Sequence, residues 1–167
     1  MAISRLKFMT KVGAKMTNHQ WSWVGVDSER KRVYFSTWLH YKARLNNVEQ
    51  DKRKQEFLIF YQKWGQDGVA LGHSDAKRAL QLIYDKDYTP CLMLLVPTFP
   101  FEYPDRLPDQ EVSIEKVKGD NFYTAVLRRE GIDTDKEMVF AEINGKGSIR
   151  DPDVITPIPL FSEKGIE

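Results

Sequence analysis

Three of the four tryptophans, Trp21, Trp23 and Trp38, fall within residues 19–41, and His40 and Tyr41 follow directly. A planar ring offers a stacking face, and a nucleic-acid base stacked on such a side chain gains about 1–3 kcal/mol. His40, beside Trp38, can add a hydrogen bond to a base edge. Arg30, Lys31 and Arg32 lie between the tryptophans, and Arg44, Lys52, Arg53 and Lys54 come after them. Their guanidinium and ammonium groups are phosphate donors. Aromatics interleaved with basic side chains form the pattern of a surface that holds a base and the backbone next to it. The competing assignment places the rings in a core and the charges on solvated turns.

Other chemistry finds less support. Asp27 precedes Glu29-Arg30-Lys31, a carboxylate-and-lysine arrangement able to hold a divalent ion and a water, but a tripeptide in a charged turn matches by chance. Such a site would make the chain a metal-dependent nuclease or another nucleic-acid-processing enzyme, which stands as the alternative. His19, His40 and His73 are not spaced as metal ligands. The single Cys91 lies in an apolar run, which excludes a disulfide framework and predicts an unreactive thiol. There is no Gly-x-Ser-x-Gly elbow and no glycine-rich phosphate loop. No catalytic residue, metal or cofactor is assigned.

The elements that must position these residues follow from pattern. Residues 21–26 and 33–39 are rich in β-branched and aromatic types and flank a charged turn, which predicts a β-hairpin. Residues 57–61 form a short apolar run, read as a buried strand. Residues 74–85 carry apolar positions at helical spacing, with Ser74 as the expected N-cap and Asp75 in the first turn. Residues 89–96 are continuously apolar, as in a strand covered on both faces. Four prolines between 97 and 108 forbid regular structure there, giving a stiff loop that bears Phe99, Phe101 and Tyr103. Strands are expected over 111–117, 121–129 and 137–143.

The tally predicts an α+β fold, a small twisted β-barrel of six to seven strands with one or two helices. Residues 1–18 read as a basic arm, 19–143 as the barrel, and 144–167, with Pro152, Pro157 and Pro159, as a tail. Residues 1–60 hold twelve lysines and arginines against five carboxylates, and the remainder is acidic, so a polyanion-facing side is expected. Since no run of about 18 apolar residues occurs, no transmembrane helix is expected. With no apolar leader after Met1, a cytoplasmic protein is expected.

The strand Trp21-Ser22-Trp23-Val24-Gly25-Val26, its partner Val33-Tyr34-Phe35-Ser36-Thr37-Trp38, and the stretch from Gly72-His73-Ser74 to Val96 together resemble a domain fused to HNH-type nucleases in modification-dependent restriction systems. The element order also resembles the PUA-like superfamily, with its EVE, ASCH, YTH and SRA domains. The resemblance implies a β-barrel that reads modified DNA bases in a restriction or defence setting, often by flipping the base into a pocket. Here Trp21, Trp23, Trp38, His40 and Tyr41 would meet the base, and Arg30, Lys31, Arg32, Arg44, Lys52 and Arg53 the phosphates. DNA is the implied partner, with RNA as the alternative. The sequence carries no HNH half, so cleavage would fall to a partner nuclease. A protein-interaction or assembly subunit is the further alternative.

Overall fold

Cys91-Leu92-Met93-Leu94-Leu95 can be buried only in a strand covered on both sides, and the fold is built around that strand. The computed structural model describes residues 3–18, 22–38, 56–65, 72–96, 116–117 and 119–158. Among them the order is β1 (Ile3–Ser4), α1 (Arg5–Lys11), β2 (Val24–Asp27), β3 (Arg32–Trp38), β4 (Glu56–Tyr61), a 3-10 turn (Gln62–Gly65), α2 (His73–Lys86), β5 (Thr89–Val96), β6 (Lys116–Val117), β7 (Asn121–Glu130), β8 (Met138–Ser148) and β9 (Asp151–Pro157). The class is α+β, with one mixed sheet. Seven of the nine strands have four residues or more.

β5 pairs in parallel with β3 and antiparallel with β6 and β7. Period-2 alternation divides its side chains between two cores. Leu92 and Leu94 join Val33, Phe35, Ile59 and the Ala76, Ala79 and Leu80 face of α2. Cys91, Met93 and Leu95 join Tyr34, Phe122 and the Phe8, Met9 and Val12 face of α1. The sheet therefore lies between two helices. It is not closed into a barrel. β2 stands at one margin, where only a bridge between Lys15 and Val26 covers it. At the other margin β4 and β9 flank β8. No ladder joins the two margins among the described residues.

Three expectations change. Residues 3–18 are not an arm. Ser4 caps α1 by accepting from the Lys7 amide at 3.2 Å, and Phe8, Met9 and Val12 dock the helix on the sheet. α2 starts at His73 with Gly72 as N-cap and no side-chain cap, so Ser74 stands inside the helix, exposed. Residues 144–157 are not a tail, because β8 continues to Ser148 and β9 returns along it. Gly145 and Gly147 look like breakers but permit close approach: a Cβ at Gly147 would strike the buried Phe122 ring, and one at Gly145 the Thr124 hydroxyl. Of the strand expected over 111–117 only Lys116–Val117 is described. The proline-rich stretch, residues 39–55 and residues 159–167 lie outside the described residues.

Candidate nucleic-acid interface

The β2–β3 hairpin has two ends of different character. At its turn, Asp27 is 2% exposed and acts as a hub. Its Oδ1 accepts from the Glu29 and Arg30 amides at 3.0 and 3.2 Å, the short-range bonding that makes Asp a turn residue. Lys31 takes the left-handed conformation at φ 55° to complete the turn. Arg30 donates to Asp27 Oδ2 at 3.0 Å and to Asp153 on β9. Both partners stabilise its charged form, Asp153 the more strongly. The same bond holds the Asp153 carboxyl below its usual range. Gly13, at φ 81°, lies under the guanidinium, where a Cβ would come within 3.1 Å of it.

Arg32 is equally occupied. It donates to the Pro152 carbonyl, lies 3.4 Å from the Tyr34 hydroxyl, and covers the Phe122 ring at 5.6 Å. Arg30 and Arg32 thus tie the hairpin to β9. Of the three basic turn residues only Lys31 is exposed.

The opposite end holds Trp23 and Trp38. Since β3 and β5 are parallel, with Trp38 opposite Leu95, the chain leaves both strands side by side, towards residues 39 and 97. β2 enters from this end, its Trp23 carbonyl accepting from the Ser36 amide at 2.7 Å. β6 pairs with Leu95 and Val96, and β1 pairs with β6. Trp23 is half-buried against the α2-side core. The structure therefore brings Trp23 and Trp38 to one end. Arg30, Lys31 and Arg32 are at the other, separated by the length of β3, about 20 Å. Trp21, His40, Tyr41, Arg44, Lys52 and Arg53 lie outside the described residues, as do Phe99, Phe101 and Tyr103.

The aromatic end adds a residue that pattern did not single out. Ser36, 8% exposed, has a buried hydroxyl without a hydrogen-bond partner among the described residues. Buried hydroxyls are normally satisfied, and a serine in an apolar strand is the only hint the sequence offers. Neighbouring Ser22 is fully buried and satisfied, its Oγ accepting from the Asn18 amide at 3.0 Å.

Catalytic chemistry gains nothing elsewhere. Among the described residues no group of three histidines, cysteines or carboxylates is placed to hold a metal ion. Burial pushes the Cys91 thiol up to about 12, so it stays protonated. His73 rests on the Phe60 ring at 4.9 Å, and burial, then Lys77, lowers its pKa. A groove of about 550 Å³ runs between α2 and β2, with Val26, Ala79 and Leu82 as apolar floor and Asp75, Arg78 and Lys86 on its rim. Its mixed charges select no ligand class. No helix among the described residues is long and apolar enough to cross a membrane. No family model, curated protein or solved structure matches the chain.

Proposed function

We propose that this chain is a nucleic-acid-binding module that recognises modified DNA bases, taking the base out of the helix and stacking it among aromatics at the carboxyl ends of β3 and β5. The reading keeps the PUA-like resemblance, a restriction or defence setting, a cytoplasmic location and a partner nuclease for any cleavage. The observation that carries it is the parallel register of Trp38 with Leu95, beside the Ser36–Trp23 bond. That register and that bond set the backbones of Trp23 and Trp38 at the end of the sheet where β3 and β5 finish. The unpartnered Ser36 hydroxyl marks the same end as chemically incomplete. Against the nuclease alternative stands Asp27, whose two carboxylate oxygens are already taken by two amides and Arg30.

The test is a binding titration against matched duplexes, one plain and others carrying methylated, hydroxymethylated or glucosylated cytosine, or methylated adenine. One modified duplex should bind at least about tenfold tighter than the plain one, a difference of about 1.4 kcal/mol, and Trp38→Ala should abolish it. Equal affinity for every duplex would overturn the reading.

A further inference from the structure

We infer that the outward face of α1, with the extended residues that follow it, docks the phosphate backbone of duplex nucleic acid. The inference rests on the nucleic-acid part of the proposed function, and not on recognition of a modified base.

The orientation of α1 is set by its apolar side. Phe8, Met9 and Val12 are at most 1% exposed. Lys7 and Lys11, four residues apart, share the opposite side and are exposed. Gly13 then turns the chain, and Lys15, also exposed, is held by two backbone bonds of 2.9 Å to Val26. Residues 3–18 contain no carboxylate. None of these three lysines forms an ion pair with a described residue, in contrast to Arg30 with its two acidic partners. Arg30 and Arg32 have therefore spent their charge on the fold, while Lys7, Lys11 and Lys15 still present theirs.

Position favours the same partner. α1 follows β1, which pairs with β6, which pairs with β5 at Leu95 and Val96. α1 thus begins at the aromatic end and the chain runs on to the hairpin turn, where Lys15 bridges to Val26, so its lysines line the sheet between the two ends. Duplex DNA carries one charge per about 1.7 Å of axis, so a short row of ammonium groups finds phosphates in almost any register. A lipid surface fits less well. An interfacial helix buries its apolar face in the bilayer, and here that face is committed to the core, leaving Leu6, 47% exposed, as the one large apolar side chain outside.

The experiment measures binding of the full chain to a plain 20-base-pair duplex across a salt series, by fluorescence anisotropy. It compares the wild type, the triple variant Lys7→Gln/Lys11→Gln/Lys15→Gln, and Lys77→Gln. All four positions are exposed, and thermal melts check that the variants are folded. The triple variant should lower the slope of log affinity against log salt by about 2–3, about 0.9 per lost contact, while Lys77→Gln, on the helix that covers the other core, leaves it unchanged. An unchanged slope in the triple variant overturns the inference. So does a wild type that ignores the duplex but binds vesicles containing phosphatidylserine. Failure of the two readings is separable: loss of modified-base preference with the slope effect intact removes only the base reading, and the reverse removes only this one.

Discussion

At Arg32, β3 starts among groups that answer one another: Asp27 with Arg30, Arg30 with Asp153, Arg32 with the Pro152 carbonyl. At Trp38 it ends beside Leu95, where two parallel strands release the chain and a buried serine hydroxyl has no described partner. At the first end both arginines are answered, and the second has a group left to satisfy. The difference teaches that a run of basic residues and a basic surface are different things. Arg30 and Arg32 look like phosphate donors until their neighbours are known, whereas Lys7, Lys11 and Lys15, on a less conspicuous segment, have no competing acidic partner among the described residues.

The comparison breaks most directly at Asp27. Asp27→Ala leaves two turn amides and the Arg30 guanidinium without their acceptor and should cost about 3 kcal/mol of stability. Denaturant unfolding reads the loss, and duplex affinity measured well below the melting temperature should not change. Under the same end, Gly147→Ala drives a methyl into the buried Phe122 ring, which is boxed in by Tyr34 at 5.3 Å and by Arg32, and should cost about 2 kcal/mol on the same measurement. At the opposite end, Trp38→Ala should weaken the preferred duplex by about 5–150-fold, the stacking range.

A smaller effect depends on pH. Because the His73 pKa is lowered on folding, the unfolded chain binds that proton more tightly. The contribution to stability is complete above the unfolded value, about 6.5, and declines as pH falls below it. Melting temperatures between pH 8 and 5 should show this decline, and His73→Phe should flatten it. The smallest effect belongs to a pair away from both ends. Arg128 holds Glu56 through two bonds of 2.9 Å and covers Phe140 at 4.4 Å, but it is 41% exposed. Arg128→Lys should cost less than about 1 kcal/mol. A larger loss would mean that the β4–β8 margin is held as firmly as the hairpin turn.

Much of the fold is legible along the chain. The hairpin, the helix near residues 74–85 and the doubly buried strand of residues 89–96 all announce themselves through period and composition, because each buries its apolar residues in a pattern its own backbone sets. Misreadings arise where a distant contact gives a residue its meaning. Residues 144–157 resemble a tail until Phe122 and Thr124 are seen lying on Gly147 and Gly145. The first 18 residues resemble an arm until the underside of β5 is there to receive Phe8 and Met9. Of the expected site, Trp23 and Trp38 come to one end, and the basic turn goes to the other.

By itself the sequence determined the local elements and the kinds of chemistry available: stacking faces, phosphate donors, and no strong nucleophile or metal set. These follow from residue type and short-range spacing. Only the tertiary structure decided which charges remain available. An ion pair such as Arg30 with Asp153 joins residues 123 positions apart, and nothing in either neighbourhood of the chain records the other. The parallel pairing of β3 with β5, which sets Trp38 beside Leu95, is likewise a choice among registers that local pattern leaves open.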